Sequence, residues 1–286
     1  MSAGAGARHP RPSTVLATAS LDNVTSNDVR FLQEAARLGP LHVRVPSDSL
    51  IERTTGRRPT FPAAERRFLA ASLRCVNSVG VVDTDATSAA ARLASGFATV
   101  VVREGDADPR LRAVWAARGG RLAEIPASQL AGFPAWEADA ESITPPALGD
   151  RPRVVVTGCY DWLHSGHVRF FMDASAFGDL YVVVGSDRNV ELLKGPGHPL
   201  QHDSERRYMV GAVRPVHRCL ISSGSGWMDA EPEIARIQPA YYVVNEDGDQ
   251  PEKRDFCAAR GIEYLVLRRV PHRGLPARSS TALRGF

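Results

Sequence analysis

The chain is expected to be an α/β protein built as two tandem parallel-sheet domains, and three features point there. Thr18 to Gly56 lies on Thr157 to Gly195 at a constant offset of 139 residues, so that LDNVTSNDVRF falls on YDWLHSGHVRF. Short β-rich apolar runs alternate with stretches of helical length, the pattern of right-handed βαβ crossovers with helices on both faces of a sheet. The length, 286 residues, suits two domains.

The repeat runs further. With one residue of slippage Pro59 falls on Pro199 and Glu65-Arg66-Arg67 on Glu205-Arg206-Arg207; later, Trp115 to Gly119 lies on Cys257 to Gly261. An echo of that length is a domain duplication rather than a stacked short repeat. It sets the expected organisation: a flexible tail over 1–13, a first domain over 14–135, a polar, proline-containing linker over 136–150, and a second domain over 151–286. Each domain is long enough to close its own core.

In the second domain the expected strands are Arg153–Thr157, Leu180–Val184, Arg218–Ser222, Ala240–Asn245 and Glu263–Leu267. The unbroken apolar run at 180–184 is that of a strand buried on both faces. Helices are expected over Ser165–Ala176, stopping at Gly178, and over Ser204–Val213, Glu231–Ile237 and Pro251–Arg260, with a last one from Ser279. The first domain repeats the order with strands Val15–Ala19, Leu41–Val45, Val79–Val82, Thr99–Val102 and Arg121–Ile125.

Composition excludes several classes. The formal charge of +3 is small and dispersed, with no basic stripe interleaved with aromatics, so no nucleic-acid partner is expected. No apolar run spans a bilayer and the N-terminus has no signal-like apolar stretch. Cys75, Cys159, Cys219 and Cys257 have no C-x-x-C spacing, which fits a reduced, cytoplasmic protein. Of 35 basic side chains only Lys194 and Lys253 are lysines, so these two positions stand out as places where a compact point charge serves better than a guanidinium.

In open parallel sheets ligands bind beyond the carboxyl ends of the strands, so the loops after Thr157, Val184, Ile221, Asn245 and Leu267 should line a site. The first is T-G-C-Y-D-W-L-H-S-G-H, Thr157 to His167. Gly158 lets backbone approach a ligand, and the following helix aims its free amides at the same place, which favours a phosphate. His164 and His167, three apart, share one face, and Gly166 leaves access between them. Two imidazoles there are suited to stabilise charge building on a phosphorus during in-line displacement. Taken alone, H-x-x-H also fits a surface helix start or a zinc site.

The segment resembles the signature G-x-(F/Y)-D-x-x-H-x-G-H of a nucleotidyltransferase superfamily, the cytidylyltransferases in particular. Leu193-Lys194-Gly195 stands where that family keeps a phosphate-binding lysine, Glu205-Arg206-Arg207 matches its E-R-x-x-x-(I/V) helix, and Arg278-Ser279-Ser280-Thr281 matches its late R-x-S-S/T-T segment. The resemblance covers almost all of residues 153–286 and implies two Rossmann-like domains forming a pseudo-dimer within a monomer, or a homodimer. It implies transfer of a nucleotidyl group, CMP from CTP, to a small phosphate or phosphonate with release of pyrophosphate, Mg²⁺ bridging the triphosphate. An adenylyltransferase using ATP and a non-catalytic nucleotide-binding regulator are the alternatives. Stretches such as SGWMDAEPEI and VVNEDGDQPEKRDFC are similar to cytidylyltransferases of phosphonate antibiotic pathways.

The roles so implied are these. His164, His167, Lys194, Arg278 and Thr281 carry catalysis; Thr157, Gly158, Cys159, Tyr160, Asp161, Gly166, Arg214, Asn245, Glu246, Asp249, Ser279 and Ser280 hold the nucleotide; Trp162, His198 and Trp227 face the acceptor. No residue is assigned to a metal. Ser279–Thr281 equally make an ordinary N-cap, Glu205–Arg207 an exposed helix face, and Asn245–Asp249 a solvated turn. Base choice rests on Arg214-Pro215-Val216-His217, where the family's R-x-V-D has an acid in place of His217. The first copy has Thr25, Asp28 and Thr55 at the positions of His164, His167 and Lys194, so a domain without catalysis is expected, with a retained regulatory nucleotide site as the alternative.

Overall fold

Uninterrupted valine and leucine runs make the centre of two separate five-stranded sheets. The computed structural model describes residues 14–84, 97–107, 109–117, 119–136 and 142–283, except the side chains of Thr281 and Ala282. The expected tail over 1–13 lies outside them. The chain divides into two compact units. One comprises the chain up to Asn23, Arg30–Ala71 and Cys75–Ala131; the other comprises Val24–Val29, Ser72–Arg74 and everything from Gly132 onward.

The first sheet consists of β1 (Val15–Thr18), β2 (Leu41–Pro46), β3 (Ser78–Val82), β4 (Thr99–Arg103) and β5 (Arg121–Ile125). Its order is β3-β2-β1-β4-β5, all parallel. The second consists of β6 (Arg153–Gly158), β7 (Asp179–Val184), β8 (Val216–Ile221), β9 (Tyr241–Asn245) and β10 (Glu263–Leu267). Its order, β10-β9-β6-β7-β8, is the same arrangement: the first strand is central, the second and third lie on one side, the fourth and fifth on the other. The strand order therefore reverses between β6 and β9, where Val154 pairs with Tyr241 and Val155 with Tyr242.

The central strands are the most apolar because helices cover both of their faces. Val154, Val155 and Val156 have no exposed surface, and Leu180 to Val184 are all buried. One cluster joins Val155, Tyr181 and Val183 to Ile234, Ile237, Tyr242, Val244 and Cys257. At about 1.5–3 kcal/mol for each large apolar side chain removed from water, this packing is what fixes the strand ends that carry the loops.

The helices repeat with the strands. In the first copy they are α1 (Ser26–Ala36), α2 (Asp48–Thr55), α3 (Ala63–Ser72) and α4 (Pro109–Ala116). In the second they are α5 (Ser165–Ser175), α6 (Asp187–Lys194), α7 (Asp203–Gly211), α8 (Glu231–Ile237), α9 (Pro251–Ala258) and the short α10 (Ser280–Leu283). α1 and α5, and likewise α2 and α6, have the same bounds displaced by 139 residues. α6 was not among the expected helices, although Ser186 accepts from the Asn189 amide as its N-cap and Gly195 ends it with a positive φ of 87°.

Both copies share one internal brace. Arg66 and Arg206 are fully buried and fan out in the same way: Nε to Phe61 O or Gln201 O, NH1 to Ser20 O or Cys159 O, NH2 to Asp48 or Asp187. Asp22 accepts from the amides of Thr60 and Phe61, and Asp161 from those of Leu200 and Gln201. Leu21 and Tyr160, both non-glycine, share a left-handed turn at φ 52° and 51°.

The stretch expected as a linker is anchored at its start. Trp136 is buried, stacks on Tyr208 with ring centroids 5.6 Å apart, and donates through Nε1 to Tyr208 O at 3.0 Å. Ile143 packs on the second unit's core. Polar composition concealed these two apolar anchors. Among the described residues all four cysteines are free, and no helix is long and apolar enough to cross a membrane.

Candidate active site

β6 ends at Gly158, where a Cβ would stand 2.8 Å from the Tyr160 ring; only glycine fits beneath that turn. The Asp161 carboxylate then pins the loop around Leu200 beside it with three amide contacts of 2.8–2.9 Å. Asp161, expected to face a nucleotide, spends both oxygens on this brace, as Asp22 does in the first copy.

His164 is the N-cap of α5. Its Nδ1 accepts from the amides of Gly166 (3.1 Å) and His167 (3.4 Å), which assigns the ring proton to Nε2. That Nε2 is buried without a hydrogen-bond partner in the described residues, and so is Nδ1 of His167. The two rings stack with centroids 3.9 Å apart, and the His167 ring meets Tyr160 edge-on at 5.2 Å. Burial, reinforced by Arg269 and Arg278, lowers His164 to about 4. Burial also holds His167 well below the ordinary imidazole value, with His164, Arg269 and Lys194 adding to it. Both rings are thus neutral at pH 7, and His164 keeps an Nε2–H for whatever anion reaches it. Burying an unpaired donor costs about 1–3 kcal/mol, so the geometry is that of a site prepared for an acceptor atom.

Gly166 has a local reason too. A Cβ there would lie 2.9 Å from His164 Cε1 and 3.2 Å from the Arg278 carbonyl, so glycine lets the Arg278–Ser280 segment close against the start of α5. Lys194 ends α6 and lines the same cavity as His167.

His167 and Lys194 border a cavity of about 840 Å³ at the carboxyl ends of β6 and β9, where the strand order reverses, the position at which open α/β sheets bind ligands; His164 is buried, stacked on His167, and is not a lining residue. Of the expected residues, Thr157, Gly158, Cys159, Tyr160, Asp161, His167, Lys194, His198, Asn245 and Ser280 line it. Gly166 and Arg278 line a small adjoining recess that shares Asn245 and Arg269 with it. The side chain of Thr281 lies outside the described residues; Ser279 accepts from the Leu283 amide at the start of α10, as a cap does.

Other expectations are corrected. Arg214 precedes β8 and therefore sits at the amino-terminal ends of the strands, away from the cavity. Asp249 is not a lining residue; its carboxylate is held by Arg254 through contacts of 3.0 and 2.5 Å. Glu246 accepts from the Arg269 amide at 3.4 Å and leaves the lining to its neighbours Asp247 and Gly248. Trp162 and Trp227 are absent from the lining, and Trp227 is 53% exposed. Asp247, within the Asn245–Asp249 segment, lines the cavity, and so do two charged residues to which the sequence assigned no site role, Lys253 and Arg269. Only Lys253 had carried a signal, as one of two lysines.

The first copy builds something different at the same point. Thr25 and Asp28 form a reciprocal capping box: the Thr25 amide (2.9 Å) and hydroxyl (2.8 Å) donate to Asp28, and the Asp28 amide donates back at 3.2 Å.

Among the described residues no group of three His, Cys, Asp or Glu is placed to hold a metal ion. The carboxylates nearest the cavity are engaged, Asp161 by amides, Asp249 by Arg254 and Asp247 by Arg269 at 3.2 Å. A magnesium ion would accordingly enter as part of a metal–nucleotide substrate, on phosphate oxygens and water.

Residues 155–281 match the cytidylyltransferase-like family model. The FAD synthase of Aciduliprofundum boonei is 36% identical over 119 residues, 41% of this chain and 76% of that protein. The bifunctional protein HldE of Pseudomonas syringae is 37% identical over 139 residues, 47% of this chain and 27% of that protein. HldE of Gluconobacter oxydans is 30% identical over 258 residues, 88% of this chain and 48% of that protein. With the stacked histidines at the helix start, the glycine turn before them and the lysine that lines the same cavity, these matches place the chain in the cytidylyltransferase-like nucleotidyltransferase superfamily, to which it belongs.

Proposed function

We propose that the second unit transfers a nucleotidyl group from a nucleoside triphosphate to a phosphate or phosphonate oxygen of a small acceptor. The acceptor oxygen forms a bond to the α-phosphorus, the bond to the bridging oxygen breaks, and pyrophosphate leaves with the electron pair. An acceptor that is already an anion needs no general base, so the chain's task is to position both partners and to stabilise charge. The observation that carries this reading is the neutral histidine pair, whose buried, unpartnered Nε2–H of His164 waits at a helix N-terminus for a phosphate oxygen. His167 assists it, Lys194 and Arg278 clamp the phosphates, and Ser280 lends a further donor.

For the donor nucleotide we take ATP, because a FAD synthase, the relative at 36% identity, makes an adenine dinucleotide. CTP is the second reading, carried by the family resemblance of the Thr157–His167 and Arg278–Thr281 segments; the Arg214 cue gives it no support, since that residue stands at the other end of the sheet. A phosphonate acceptor rests on the same resemblance. The test is a screen of nucleotides against small phosphate and phosphonate acceptors, read as pyrophosphate, with ATP and CTP also competed in calorimetry. Nucleotide binding without pyrophosphate from any acceptor would leave a regulator as the function.

The first copy of the repeat, residues 14–135, serves, in this reading, as a scaffold without catalysis. Its support is the Thr25–Asp28 capping box and the presence of Thr55 in place of a lysine. A fragment lacking residues 1–140 that stayed soluble and fully active would remove that role.

A further inference from the structure

The cavity lining carries two sets of polar groups. Lys194 and Arg269, with Arg278 of the adjoining recess, all bear on the histidine pair, holding its protons off. The stretch after β9 adds Asn245, Asp247, which pairs with Arg269 at 3.2 Å, Gly248 and Lys253. Lys253 is largely buried in the first turn of α9, and its Nζ donates to Gly248 O at 3.1 Å. The charges that bear on it are the carboxylates of Asp229 and Asp249, and burial outweighs them, so its ammonium is held below the ordinary lysine value. A cation already faced by two carboxylates attracts a phosphate weakly. It remains a strong, directed donor, and the carbonyl beside it is an acceptor.

A donor and an acceptor side by side in the lining of this cavity match the edge of a heterocyclic base, which shows an acceptor next to a donor. The scarcity of lysine points the same way. Both lysines of the chain line this cavity, and a compact ammonium offers three donors from one atom where a guanidinium offers a planar fork.

We propose that Lys253, together with the Gly248 carbonyl, reads the base of the bound nucleotide and sets which nucleoside triphosphate is used. The proposal rests on the nucleotidyltransferase reading above and adds a specificity residue to it.

The experiment measures dissociation constants of the full-length protein for ATP, CTP, GTP and UTP, with Mg²⁺, for the wild type, Lys253→Met and Lys253→Gln. The readout is the ratio between the best and worst nucleotide on one protein, so a partly folded sample does not distort it. A paired contact to a base is worth about 1–3 kcal/mol of discrimination, so the ratio should collapse about 5- to 150-fold in Lys253→Met, with Lys253→Gln intermediate. Inorganic pyrophosphate, which has no base, should bind the wild type and both variants alike. Equal weakening of all four nucleotides, weakened pyrophosphate binding, or an unchanged ratio would each overturn the proposal. A wild type that binds no nucleotide would instead overturn the nucleotidyltransferase reading itself.

Discussion

Two helix starts 139 residues apart in one chain make the most instructive comparison in this protein. At the second, His164 caps α5 with Nδ1 and leaves its other nitrogen buried without a hydrogen-bond partner among the described residues. At the first, Thr25 and Asp28 satisfy the same kind of orphan amides and each other. A capping box closes the account of a helix end; the histidine cap leaves it open, at a cost in desolvation. The surrounding brace, Arg66 or Arg206 with its aspartate and carbonyls, is the same in both copies. Geometry shared by the copies therefore reports the fold, and geometry that differs reports the chemistry.

The comparison can be broken most severely at His164. Replacing it with alanine removes the cap, worth about 1 kcal/mol, and a phosphate donor, so turnover should fall by about 10²–10³ in pyrophosphate release. A variant within threefold of wild type would detach the cap from the chemistry. The shared brace should behave oppositely. Arg66→Met and Arg206→Met each strand an aspartate from a buried partner and should each lower stability by about 3 kcal/mol in urea titrations. If only Arg206→Met destabilised, the brace would not be common to the two copies.

A pH series sharpens the difference. His164 titrates near 4 in the folded chain and at 6.5 when unfolded. Between those values the unfolded chain holds more protons, so stability falls as pH falls from 6.5 towards 4. His164→Asn keeps a cap and should reduce that slope by about one proton; an unchanged slope would contradict the burial of a neutral ring. The smallest effect belongs to the first copy: Thr25→Ala should cost about 1 kcal/mol of stability and leave pyrophosphate release untouched, checked by urea midpoint and rate together.

Much of this was legible in the sequence, for physical reasons. Strands such as Leu180–Val184 announce themselves because parallel strands are buried on both faces. The histidine pair was legible because its partners, Gly166 and the amides of α5, are local. Arg214 was misplaced because nearness in sequence to the Glu205–Arg207 helix says nothing about which end of the sheet is reached. A chain leaving a helix enters the next strand at its amino end, so such residues face away from the site. Asp249 was lost to Arg254, five residues on. Arg269 was missed because strands β9 and β10 bring it to Asp247 across 21 intervening positions of sequence, and no local pattern records such pairing. Lys253 was noticed for its rarity, but only the cavity gave that rarity a place.

The most direct test of the contrast pairs His167→Ala with Asp28→Ala, the same position in the two copies. Pyrophosphate release from a nucleoside triphosphate is measured for both, with the acceptor found in the screen. His167→Ala should fall by about 10²–10³ while Asp28→Ala stays within experimental reach of the wild type. Loss of activity in Asp28→Ala at full stability, or retention of it in His167→Ala, would contradict the division of this chain into one copy that reacts and one that does not.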